Sequence, residues 1–156
     1  MIEYGIATKE DINELIRLRI NYMKADFGSV SEEERLGMEK QLPDYFRRKL
    51  GTELIAFTAR DKGHIVSVAY LHIIEMPANS VLLSGLYGDV LSVYTEPEYR
   101  GRGLCSTLIN NLIEHAKKLG LGRIDLKATD DGYSVYEKAG FKEIKQKYRN
   151  MRYTIE

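Results

Sequence analysis

Apolar residues recur at helical spacing along the first part of the chain. Ile12, Leu15, Ile16, Leu18 and Ile20, with Tyr22 and Met23 beyond, form a stripe that predicts a helix to about Lys24. Ahead of it, Ile2 to Ala7 reads as a short strand, and Thr8 with Asp11 three residues on supplies a helix cap. Ser31-Glu32-Glu33-Glu34 is a capping box opening a second helix, which carries Leu36, Met38, Leu42, Tyr45, Phe46 and Leu50 and ends at Gly51. Pro43 inside it lacks an N–H and should bend that helix or split it in two.

From Leu54 the period shortens. Leu54 to Ala59 and His64 to Ile74 are rich in β-branched and aromatic residues and flank the turn Asp61-Lys62-Gly63, which predicts a hairpin. Val81 to Thr95 is strand-like again, with Gly85 and Gly88 marking a bend or bulge. Leu104, Leu108, Ile109, Leu112, Ile113 and Ala116 make one helical stripe that Gly120 stops. Arg123 to Ala128 reads as a strand and Tyr133 to Ala139 as a short helix ended by Gly140; Phe141 to Lys147 and Met151 to Ile155 read as two last strands. The order is β-α-α-β-β-β-α-β-α-β-β, a mixed α/β fold around one sheet. With no linker or repeat in view, residues 1–156 are expected to form a single domain.

Composition narrows the partners. Lys plus Arg and Asp plus Glu stand at 23 each, so no global basic field argues for nucleic acid or an anionic membrane. No run approaches the ~18 apolar residues of a membrane span. The single cysteine, Cys105, cannot close an internal disulfide, and the start Met1-Ile2-Glu3-Tyr4 lacks a leader pattern, so the cytoplasm is expected. No Cys/His spacing suggests a metal site.

Chemistry concentrates in Val93-Tyr94-Thr95-Glu96-Pro97-Glu98-Tyr99-Arg100-Gly101-Arg102-Gly103-Leu104-Cys105-Ser106. A strand enters a turn with two glycines, and the turn opens a helix. Glycines let the backbone approach a ligand closely, and the helix start offers unpaired N–H groups at the positive end of the dipole. Arg100 and Arg102 add charge there, so the stretch suits a pyrophosphate. A dinucleotide fingerprint would need a third glycine at Ser106, and a P-loop would need Gly-Lys-Ser/Thr; neither is present. The glycine spacing alone fits an ordinary surface turn equally well.

Arg100-Gly101-Arg102-Gly103-Leu104-Cys105 resembles the Gln/Arg-x-x-Gly-x-Gly/Ala signature of the GNAT superfamily of acyl-CoA-dependent N-acetyltransferases, with Cys105 where Gly or Ala is usual. Tyr136-Glu137-Lys138-Ala139-Gly140-Phe141 is similar to that family's Tyr-x-x-x-Gly-Phe. The element order agrees along nearly the whole chain, although the first ~80 residues contribute order alone. The resemblance implies a mixed, mostly antiparallel sheet of six to seven strands with a splayed centre, flanked by about four helices. It implies acetyl-CoA as cosubstrate, its pyrophosphate held by the backbone amides of Arg100, Gly101, Arg102, Gly103, Leu104, Cys105 and Ser106, and its pantetheine arm beside Val93, Tyr94 and Thr95. Thr129 stands where the family often has an asparagine that contacts pantetheine.

The implied reaction moves an acetyl group to an amine by direct attack in a ternary complex. It needs a neutral amine, N–H donors for the developing oxyanion and a proton for the departing thiolate. By the same resemblance Tyr136 is the proton donor. For the base, Glu96, Glu75 and Asp89 are candidates, as is a water chain. The acceptor is an amine of a small molecule or a peptide, a homodimer is left open, and a non-catalytic acyl-CoA-binding regulatory module is the alternative reading.

Overall fold

The computed structural model describes all of residues 1–156. A single sheet runs β1 (Ile2–Ile6), β2 (Leu54–Asp61), β3 (His64–Glu75), β4 (Leu86–Thr95), β5 (Ile124–Asp125) in that spatial order. Neighbours are antiparallel except for the parallel pair β4–β5. Helices α1 (Ile12–Phe27) and α2 (Glu32–Lys49) follow β1; α3 (Leu104–Lys118) and α4 (Tyr133–Ala139) come later.

Each face of the sheet carries its own core, and the side-chain alternation of β2 shows how. Leu54 and Ala56 join Leu15, Leu18, Leu42 and Phe46 of α1 and α2. Ile55, Phe57 and Ala59 join Leu104, Leu108, Ile109 and Leu112 of α3. A strand buried on both sides must be apolar at every position, which is why β2 and β3 read as near-continuous apolar runs. Full burial of Leu15, Leu18, Leu108 and Leu112, at ~1.5–3 kcal/mol each, anchors the helices to the two faces.

Most local signals act as expected. Thr8 and Asp11 cap each other reciprocally ahead of α1, and Ser31 and Glu34 do the same for α2. Lys62 and Gly63, both with positive φ, close the β2–β3 hairpin. Pro43 does not split α2, which is continuous across it. Leu42 and Phe46, on either side of the proline, are both buried, so packing holds together a helix that its own hydrogen bonds would not.

Four expected strands differ. β4 starts at Leu86 rather than Val81, because Gly85 sits at φ 69° with its Cα face against the carbonyl of Met76. β5 shrinks from the expected Arg123–Ala128 to Ile124–Asp125. Residues 141–156 hold no strand, so the sheet has five strands and not six or seven. Neither Phe141–Lys147 nor Met151–Ile155 finds a ladder partner within the chain, and β5 pairs on one side only.

Candidate active site

The shortness of β5 creates the site. β4 and β5 pair only at Gly88 with Ile124 and at Asp89 with Asp125, after which the strands part. The divergence has a local cause in β4. Its register with β3 passes from Tyr94 opposite Val68 to Leu91 opposite Tyr70, so Ser92 and Val93 together face Ala69. This is a β-bulge, and it re-aims the strand. Ser92 takes φ 49°, a left-handed conformation costing about 1 kcal/mol for a non-glycine residue. The splayed centre implied by the family resemblance is therefore present, and the bulge is its source.

A cavity of about 560 Å³ fills the gap between the parted strands, α1 and α2. Its walls include Ser92 and Val93 of the bulge, Asp89, Thr129, Tyr136 and Arg19. At the far end of β4 the chain turns into the glycine segment. Gly101 and Gly103 sit at φ 75° and 77°, and a Cβ on either would meet nothing within 4 Å. From Gly101 to Ser106 no backbone N–H finds an acceptor in the chain; the first that does is Thr107, bonded to the Gly103 carbonyl. A run of unpaired N–H groups around two left-handed glycines at the start of a 15-residue helix fits a pyrophosphate.

The predicted cofactor residues divide by what their side chains do. Arg100 Nε donates to the Thr95 carbonyl at 2.9 Å and its guanidinium lies 5.7 Å over the Tyr94 ring, tying the strand end to the turn. Arg102 donates to the Glu98 carbonyl and lies over Tyr99. Tyr94 and Leu104 are buried core residues, and the Thr95 hydroxyl is bonded to Ser67 at 2.7 Å, so these positions offer backbone rather than side chain to a ligand. Burial pushes the Cys105 thiol up, which keeps it protonated and a poor nucleophile.

Tyr136 comes from the middle of α4 and reaches the cavity from the β5 side. Its ring meets Phe141 edge-on at 6.0 Å and packs against Gly132. Burial first, then the neighbouring Cys105 and Tyr22, pushes its phenol up to about 12, so the hydroxyl holds its proton at neutral pH. Thr129 does not substitute for an amide side chain: its hydroxyl and carbonyl both accept from Gly132 N–H, at 3.2 and 3.1 Å, and secure the start of α4.

The three candidate bases separate cleanly. Glu96 is held by Arg17 at 2.5 Å, and Glu75 is exposed at the end of β3. Only Asp89 lines the cavity. Burial, and then Asp125, raises its carboxyl above the ordinary value, while His72 and Lys127 oppose this. Sequence reasoning missed Arg19, Tyr70 and Asp26, which line the same cavity from α1 and β3. All three sit inside regular elements with no turn or motif beside them, so no local signal distinguishes them.

The GNAT acetyltransferase family matches residues 21–141. A predicted acetyltransferase from Clostridium acetobutylicum, solved with acetyl-CoA, is 27% identical and superposes with a TM-score of 0.84 over 97% of this chain and 96% of its own. A GCN5-related N-acetyltransferase from Ralstonia eutropha shares the fold at a TM-score of 0.78 and 19% identity, covering 97% of this chain and 99% of its own. The glucosamine 6-phosphate N-acetyltransferase of Trypanosoma brucei brucei is 29% identical over 103 residues, 66% of this chain and 68% of its own. With its fold, parted strands and glycine turn in place, this chain belongs to the GNAT acetyltransferase family.

Proposed function

We propose that this chain moves the acetyl group of acetyl-CoA to the amine of a small molecule, by direct attack in a ternary complex built within one domain over residues 1–156. The observation that carries the reading is the continuity of three features. Free N–H groups open α3, Cys105 in that stretch neighbours Tyr136, and Tyr136 lines the cavity between β4 and β5. Bound acetyl-CoA supplies an activated acyl group as a thioester.

The chain's own groups divide the work. The amides of Gly101, Arg102, Gly103, Leu104, Cys105 and Ser106 hold the pyrophosphate, while that of Arg100, expected to join them, instead donates to the Pro97 carbonyl; the β4 backbone at Val93, Tyr94 and Thr95, free on its β5 side, aligns the pantetheine arm. A backbone N–H at the splayed end of β4 stabilises the developing oxyanion. Asp89 accepts a proton from the acceptor's ammonium group, and Tyr136 Oη gives one to the departing thiolate. The single cysteine fits a reducing cytoplasm. No helix is long and apolar enough to cross a membrane.

Thiol release from acetyl-CoA, followed over a panel of amines, tests the proposal. Turnover with at least one small amine is the expected result; tight CoA binding with no release from any amine would leave a regulatory module instead.

A further inference from the structure

The acceptor side of the cavity carries charge that the transfer chemistry leaves unused. Arg19 projects from α1 into the cavity and makes no ion pair with any carboxylate of the chain. Its Nη1 donates to Ser92 Oγ at the bulge, and its guanidinium stands 5.6 Å over the Tyr22 ring. Nη2 and Nε have no acceptor. Tyr70, beside it on β3, is 3% exposed, and its hydroxyl is the one buried side-chain polar atom without a hydrogen-bond partner. Asp26 lies two helical turns along α1 from Arg19, and neither it nor Asp89 is ion-paired. A cavity in the size range of small-molecule sites thus holds two cations without an ion pair, Arg19 and Lys127, an orphaned phenol and two free carboxylates.

We infer that the acceptor is a small amine that also bears a carboxylate or phosphate, with Arg19 binding the anionic group and the Asp89 side of the cavity receiving the ammonium. Two donors in a planar fork match either oxyanion, and an acceptor oxygen there would satisfy the Tyr70 hydroxyl. The inference rests on the acetyltransferase reading. It favours an acceptor with charge of both signs over a purely cationic one, which would leave Arg19 without a counter-charge.

Matched acceptors test it: an amino acid against its amide, and an amino-sugar phosphate against the neutral amino sugar. The first pair reports a carboxylate and the second a phosphate. The parent should favour the anionic member of at least one pair by tenfold or more in kcat/KM, ~1.4 kcal/mol. Arg19→Ala should abolish that preference through KM, leave CoA affinity unchanged and lose calorimetric binding of the anionic acceptor without cofactor. If Arg19 only braces Ser92, the variant slows both members equally and the preference survives, which overturns the inference. Equal rates for both members of both pairs in the parent overturn it too. Absence of turnover with every amine removes the acetyltransferase reading beneath it.

Discussion

In the proposed reaction a single hydroxyl and a single carboxyl divide the proton chemistry, and each can be removed without disturbing packing. Tyr136→Phe keeps the ring against Phe141 and Gly132. Loss of the proton donor should lower kcat by about 10²-fold with little change in CoA affinity. Loss of affinity at an unchanged rate per bound complex would make Tyr136 a contact residue only. For Asp89 the raised carboxyl sets the direction of a pH effect. As a base it must be ionised, so kcat/KM should fall as pH drops through a value above the ordinary 3.8, and Asp89→Asn should remove that acid limb. Stability runs the opposite way. A folded-state value above the unfolded one disfavours the ion on folding, so stability rises as pH falls through the window between them. The Asn variant should therefore be no less stable than the parent at neutral pH, measured by denaturant unfolding; a marked loss of stability would show that the ionised Asp89 braces the β4–β5 junction.

At the level of elements, the sequence was most legible where a local rule and the tertiary structure agree. The capping pairs Thr8–Asp11 and Ser31–Glu34, the α3 stripe and the Lys62-Gly63 turn each act within a few residues, so their signals survive without knowledge of the fold. Where tertiary forces decide, the reading failed. Pro43 was expected to bend α2 or split it in two; the helix is not split, because burial of Leu42 and Phe46 holds it together. Arg123–Ala128 has strand composition throughout, yet only Ile124 and Asp125 stay within reach of β4, because the bulge at Ser92 turns that strand away. The glycine turn was legible because it needs φ values that few other residues adopt. Arg19, by contrast, is one more polar residue on an amphipathic helix. The turn yields its own prediction. In Gly103→Asp the new Cβ would meet no atom within 4 Å, and the left-handed φ of 77° costs an Asp about 1 kcal/mol, too little to unfold the domain, so the fold should survive. Its carboxylate would stand where the pyrophosphate sits, and CoA affinity by calorimetry should fall about tenfold or more. Unchanged affinity would locate the phosphate cradle elsewhere.

For the whole molecule, the parted strands set how stability should respond to ligand. β4 runs from Val90 to Thr95 with no neighbour on the β5 side, and the α3 amides from Gly101 to Ser106 lack acceptors. Those groups lie on a preformed surface that the unfolded chain does not offer, so a ligand that satisfies them binds the native state alone. At a hundred times its dissociation constant such a ligand adds about 2.7 kcal/mol of stability. For a chain of this size, 1 kcal/mol moves the melting temperature by about 2–4 °C. Saturating CoA should therefore raise Tm by roughly 5–10 °C, and acetyl-CoA should do at least as well. The shift should grow with the logarithm of ligand concentration beyond saturation, as mass action requires, and Gly103→Asp should suppress it at matched concentration. Adenosine alone should give a smaller shift, since it leaves both the N–H groups at the start of α3 and the β4 backbone unsatisfied. A parent protein whose Tm stays fixed as CoA rises through the millimolar range would have neither cradle nor strand slot for it, and the reading of the β4–α3 segment would have to be abandoned.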